Sequence, residues 1–149
     1  MIVTKIVVLS LEKELFGIDI SKVKEIICPV EITSVPNLPE FFEGLISLRE
    51  EVIPIMDLAK RLNIPSSKKA DDKKYIVVDL QSKTIALVVD SVLEVLDLPS
   101  NMIENTPELM EKIERNFISG IGRWEENLII LLNVEKLFSS GELKQIEGL

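Results

Sequence analysis

The chain reads as an all-β protein with a few short helices, assembled from two copies of one small closed or nearly closed barrel. Three observations predict this: short apolar runs rich in valine and isoleucine, a match of the chain with itself, and one polar run between the matching parts. The runs in the first copy are Ile6 to Leu11, Leu15 to Ile20, Leu45 to Leu48 and Val52 to Met56. Their length and β-branched content suit strands, and short strands joined by charged turns suit small barrels rather than a helical bundle. Asp57 before LAKRL and Asn133 before VEKLF stand where caps of one or two helical turns belong. Thr106, followed by Pro107 and ELMEKIER, predicts a further helix with proline at its first position.

The self-match has two parts. A shift of 69 places KIVVLSLEKELFGIDISKVKEII (5–27) on KYIVVDLQSKTIALVVDSVLEVL (74–96), pairing Val8 with Val77, Leu11 with Leu80, Ile20 with Val89, Val23 with Val92 and Glu25 with Glu94. A shift of 76 places GLISLREEVIPIMDL (44–58) on GIGRWEENLIILLNV (120–134), pairing Gly44 with Gly120, Leu48 with Trp124 and Glu50 with Glu126. The shifts differ by seven residues, so an insertion lies between 97 and 119, where the Thr106 helix is predicted. A repeat of this kind marks a duplicated structural unit. Between the copies, PSSKKADDKK (65–74) is charged, lacks apolar periodicity and reads as an exposed linker.

Composition narrows the function. The 17 lysines and arginines against 25 aspartates and glutamates leave a net charge of −8, which repels a phosphate backbone, so nucleic acid is not an expected partner. Small barrels that bind single strands need a basic groove with stacking aromatics, and this chain has one tryptophan and one tyrosine. With no histidine and the single cysteine Cys28, the usual general base, the usual metal ligands and an intrachain disulfide are all missing. Asp19, Asp57, Asp79 and Asp90 form no pair at a spacing suited to acid/base work, and Gly120 and Gly122 lack the third glycine of a phosphate loop. No enzyme, cofactor or metal is expected. No run has the form of a signal peptide or reaches the roughly 18 apolar residues of a membrane span, so a soluble cytoplasmic protein without membrane insertion, monomeric in isolation, is expected.

The aliphatic content raises a question of surfaces. Phe16, Ile18 and Ile20 alternate with Gly17 and Asp19, followed by Val23 and Ile26; Ile85, Leu87 and Val89, followed by Val92 and Val95, are their counterparts. A small barrel accommodates about one inward side chain in two along each strand, yet hydrophobic residues are 46% of the chain and aromatics only 5%. Either the surplus packs inside or part of it forms exposed patches, and such patches mark partner sites. Duplication implies two related patches, which suits a connector.

The run PNLPEFFEGLISLREEVIPIMDLAKRL resembles the signature of the CheW family of chemotaxis coupling proteins. FGIDISKVKEI precedes it, and ALVVDSVLEVL and ISGIGRWEENLIILLNVEKLF follow in the family's order, so the resemblance covers about 4 to 138. It implies two five-stranded SH3-like barrels sharing a hydrophobic core within one domain over 1–149. Subdomain 1 is then expected within 14–66, completed by strands exchanged from the termini, and subdomain 2 within 74–138. It also implies a non-enzymatic adaptor that joins the cytoplasmic hairpin tip of transmembrane chemoreceptors to the regulatory domain of a sensor histidine kinase, recruited to membrane-associated arrays. The alternatives are a scaffold of the same fold for a kinase outside chemotaxis and a small-barrel nucleic-acid module.

By that resemblance Ile20, Val23, Ile26 and Arg49 belong to the receptor surface, and Val92 and Val95 to the kinase surface. Arg49 either contacts partners or holds its turn; a purely structural reading pairs it with Glu43, Glu50 or Glu51. Gly44 stands where a side chain would obstruct close backbone approach, with Gly120 as its repeat partner. Pro54 implies an edge strand or a non-bonded ladder position. Ser47 and Glu50 replace the asparagine and glycine common in the family turn. Glutamate tolerates positive φ poorly, so a turn of three residues or a more open type is expected there.

Overall fold

A computed structural model describes residues 2–66, 68–80, 83–105 and 115–147. Eleven strands follow in order: β1 Val3–Leu11, β2 Glu14–Asp19, β3 Val23–Ile27, β4 Phe42–Leu48, β5 Glu51–Asp57, β6 Lys74–Leu80, β7 Lys83–Val89, β8 Ser91–Pro99, β9 Ile103–Glu104, β10 Ile118–Trp124 and β11 Asn127–Leu132. Helices among the described residues are short, α1 at Leu58–Arg61 and α2 at Ser140–Glu147, with several 3₁₀ turns. The helix expected from Thr106 lies outside the described residues.

The strands form two sheets of mixed origin. One runs β3-β6-β7-β5-β4, and the other β8-β1-β2-β11-β10-β9, the sixth strand being only the two residues of β9. The sheets therefore do not follow the expected division at 14–66 and 74–138. The hairpin β1–β2 joins strands of the later copy, and the hairpin β6–β7 joins strands of the earlier one, so the exchange is reciprocal and not confined to the termini.

Registers reproduce the repeat residue for residue. Ile26 faces Ile76 and Val7 faces Val95, which are the same pair under the shift of 69. The parallel contacts agree too, Ile55 with Ala86 and Gly17 with Leu131. Even the irregularities recur: the pairing slips between Val23 and Glu25 as it does opposite Val92 and Glu94, and between Phe42 and Gly44 as between Ile118 and Gly120. Bulges bend a strand and strengthen its twist, so both sheets curl alike.

Alternation then creates three apolar layers. Ile46, Ile53, Ile55, Tyr75, Val77, Ala86 and Val88 line the inside of the first sheet. Ile6, Val8, Leu96, Leu98, Ile129 and Leu131 line the inside of the second. Between the sheets lies a larger shared core that includes Leu9, Phe16, Ile18, Met56, Leu58, Ile76, Leu87, Leu132 and Leu137. Full burial of each such side chain stabilises by about 1.5–3 kcal/mol before chain entropy is subtracted.

Asp57 caps α1, its carboxylate accepting from the Lys60 N–H at 3.3 Å. Asn133 occupies the matching place before the 3₁₀ turn Val134–Lys136, but its side chain makes no capping bond. α2 was not foreseen. Its signal is the capping box Ser139 to Glu142, in which the Glu142 N–H donates to Ser139 Oγ at 3.1 Å and the Ser139 N–H donates to Glu142 Oε1 at 2.7 Å.

Candidate docking surfaces

Edge strands carry the apolar residues that the repeat singles out. β3 ends the first sheet and β8 ends the second. On them Ile26 and Val95, equivalent positions, are 41% and 47% exposed. Val23 and Val92, also equivalent, are half-buried and pack against the shared core, and Ile20 is half-buried in the 3₁₀ turn Ile20–Lys22 that carries the chain from one sheet to the other. Of these five residues, Ile26 and Val95 are therefore the exposed ones. Leu93, at the unmatched bulge position of β8, is exposed beside Val95 and extends that edge. Strict alternation hides Leu93, because a bulge adds one residue to the period; its counterpart in β3 is Lys24.

Arg49 tips the β4–β5 hairpin. Its Nη1 donates to Glu25 Oε2 on β3, with the Arg49 side chain 75% and that of Glu25 17% exposed. The expected partners Glu43, Glu50 and Glu51 are not used; Glu43 instead accepts from Lys60 Nζ at 3.0 Å, and this contact raises the Lys60 pKa. Strand curl brings β3 beneath the hairpin tip, which sequence distance conceals. The remaining oxygen of Glu25, Oε1, is buried without a partner.

The turn also differs from expectation. Leu48 pairs with Glu51, leaving Arg49 and Glu50 as a two-residue loop with φ of +50° and +72°. Positive φ at both positions marks the type I′ turn, whose twist matches that of the flanking strands, and the ladder holds glutamate in the place glycine normally takes.

Pro54 is not on an edge, since β5 lies between β7 and β4. It faces Leu45, whose N–H and C=O turn the other way to Thr33, at 2.9 and 2.8 Å. The Leu45–Pro54 pair thus carries no ladder bonds toward β4, and pairing with β7 begins only at Ile55. The missing N–H is needed on neither side. The same Thr33 segment explains Gly44: with φ +143°, a Cβ there would sit 2.1 Å from the Thr33 carbonyl oxygen. At Gly120 the corresponding neighbour is the Glu104 carbonyl oxygen, at 3.0 Å.

Polar contacts add to the strand pairings between the copies, among them those of Lys22 and Arg61. Lys22, in the turn after β2, donates to Glu135, and this bond raises its pKa. Arg61 of α1 donates from Nε to the Leu137 carbonyl at 2.6 Å and forks onto Glu142 of α2 at 3.2 and 3.0 Å. Its guanidinium lies between the rings of Phe41 and Phe117, 4.2 and 4.9 Å from their centroids. No helix among the described residues is long and apolar enough to cross a membrane.

Comparison with known proteins converges on one family. The family model described as the CheW-like domain matches residues 5–142. Relatives include the chemotaxis protein CheW of Treponema pallidum, 29% identical over 149 residues that cover 97% of this chain and 88% of the relative. The chemotaxis protein CheW of Klebsiella aerogenes is 31% identical, with 95% and 85% covered. The crystal structure of the scaffolding protein TtCheW from Thermoanaerobacter tengcongensis superposes with a TM-score of 0.86 at 38% identity, covering 95% of this chain and 92% of that one. By the family model that spans nearly its whole length and by the superposition on TtCheW, the chain belongs to the CheW family of chemotaxis adaptor proteins.

Proposed function

We propose that this chain couples the cytoplasmic hairpin tip of a chemoreceptor to the regulatory domain of a sensor histidine kinase, acting by binding alone within membrane-associated arrays. The receptor docks on the edge that holds Ile20, Val23, Ile26 and Arg49. The kinase domain docks on the edge that holds Val92 and Val95. One observation carries the reading: equivalent edge strands of a duplicated unit each leave an aliphatic side chain exposed, Ile26 on β3 and Val95 on β8. A connector needs two sites, and exposed apolar edges supply contact area that a solitary domain would cover or charge.

The test mixes the protein with a receptor-tip fragment and with the kinase regulatory domain. No binding to either at ~100 µM, far weaker than micromolar association, sinks the proposal. Ile26→Asp is expected to weaken receptor binding alone and Val95→Asp kinase binding alone; equal loss of both partners in either variant refutes the assignment of edges. Val23→Asp and Val92→Asp are less clean probes, because both valines also pack on the shared core.

A further inference from the structure

We propose that this chain takes a second copy of itself as a partner, by exchanging halves through the segment at 65–74. Strands β1 to β5 precede that segment and β6 to β11 follow it. Four strand pairings join the halves: β1 with β8, β2 with β11, β3 with β6 and β5 with β7. Within a half, the named strands make only local antiparallel pairs such as β1–β2, β4–β5, β6–β7 and β10–β11. Both inner layers mix the halves as well, Ile46, Ile53 and Ile55 with Tyr75 and Val77 in one, Ile6 and Val8 with Leu96 and Ile129 in the other. A half therefore completes neither sheet without the complementary half. Any copy of the chain offers that complement.

The connection imposes little. Ser66 Oγ donates to Asp90 at 2.7 Å, and Lys74 pairs with Val89, so the segment leaves and re-enters at one end of the first sheet. Lys68 to Asp72 are exposed, with Ala70–Asp72 in a 3₁₀ turn as the local structure there. Pulled straight, ten residues reach up to ~33 Å. Exchange between two chains keeps every strand pairing and every apolar contact, and changes only this excursion, the condition under which swapping is a low-cost route to a dimer. The monomer already has the layout of a swapped dimer of its own halves, since Ile26–Ile76 and Val7–Val95 are one pairing used twice. Closure within one chain competes at an effective concentration in the millimolar range, so dilute folding yields monomer and concentrated folding yields the exchanged dimer.

Arg61 and Glu142 lie in different halves and make a fork that reports the exchange. Arg61→Glu and Glu142→Arg are placed in separate full-length chains, so that each alone sets like charges against each other. Co-refolded from denaturant, a heterodimer made by exchange sets opposite charges together at both sites. At ~1 mM total protein the mixture is expected at twice the chain mass by light scattering, melting above either variant alone. A variant that fails to fold by itself still serves, because rescue on mixing is the readout. Wild-type chain refolded at ~1 mM is expected to contain at least about tenfold more dimer than after refolding at ~10 µM. A mixture that stays at chain mass and melts as its separate parts, or a wild-type dimer fraction unchanged by concentration, overturns the proposal.

Discussion

The two sheets repeat one plan and differ at their tips. In the first, the β4–β5 hairpin turns through Arg49 and Glu50 and its arginine closes onto Glu25. In the second, the β10–β11 hairpin turns through Glu125 and Glu126, with positive φ at Glu125 and not at Glu126. The counterparts of Arg49 and Glu25 there are Glu125 and Glu94, both acidic and exposed, so no equivalent closure forms. Bulges, parallel contacts and the crossing glycines, in contrast, recur at matching positions. The bulges and backbone crossings are kept in both copies, while the two hairpin tips have diverged.

Glycine positions test the kept part and carry the largest expected effect. Alanine at position 44 must move the Thr33 carbonyl by more than an ångström from its 2.1 Å approach, in a backbone conformation that side chains rarely adopt. Gly44→Ala is expected to cost at least ~3 kcal/mol, as losses at strained, close-packed positions do. Gly120→Ala meets the Glu104 oxygen at 3.0 Å with ordinary φ and needs a shift of only tenths of an ångström, so about 1 kcal/mol is expected. Urea unfolding followed by the fluorescence of Trp124, the single tryptophan, ranks the two; equal losses would mean that the copies cross their backbones with equal tightness.

Position 61 tests a diverged interior contact. Under the repeat Arg61 corresponds to Leu137, which is buried in the shared core. Arg61→Leu makes the first copy resemble the second, but it takes the Arg61 donor from the Leu137 carbonyl and leaves the Glu142 carboxylate, 20% exposed, with the Ser139 N–H in place of the guanidinium fork. Loss of about 1–3 kcal/mol is expected, the usual cost of stranding partly buried polar partners. Thermal melts of Arg61→Leu and Arg61→Lys decide how it arises. Lysine keeps the charge and loses the fork, so a lysine variant as stable as the parent would assign the contact to charge alone.

Much of this was legible in the sequence because a repeat fixes equivalences before any coordinates exist: Val23 with Val92, Gly44 with Gly120, Asp57 with Asn133. What the repeat leaves open is which hairpin completes which sheet. Alternation in Ile6–Leu11 and in Tyr75–Leu80 is satisfied equally by either partner set, so reciprocal exchange is decided by crossing geometry and not by pattern. Arg49 found Glu25 across 24 residues of chain, beyond the reach of a reading that pairs neighbours. Exposure was harder still. Bulges at Lys24 and Leu93 interrupt the period of two, and so on β3 and β8 the exposed aliphatics are Ile26, Leu93 and Val95 while Val23 and Val92 turn toward the core.

Glu50 supplies the smallest effect and the sharpest probe of the tips. Hairpin register, fixed by Leu48 opposite Glu51, forces a two-residue loop, and the loop forces φ of +72° on glutamate. Glycine adopts that conformation without the side-chain penalty, so Glu50→Gly is expected to stabilise by about 0.5–1 kcal/mol despite its greater freedom when unfolded. Glu126→Gly, at a position without positive φ, gains nothing from the same change and is expected to be neutral or destabilising through added chain entropy. Urea midpoints of the two variants read the contrast directly. A loss at position 50 would show that the Glu50 side chain contributes more than its strained backbone costs, which would make the residue part of the surface that Arg49 presents and not a tolerated mismatch in its turn.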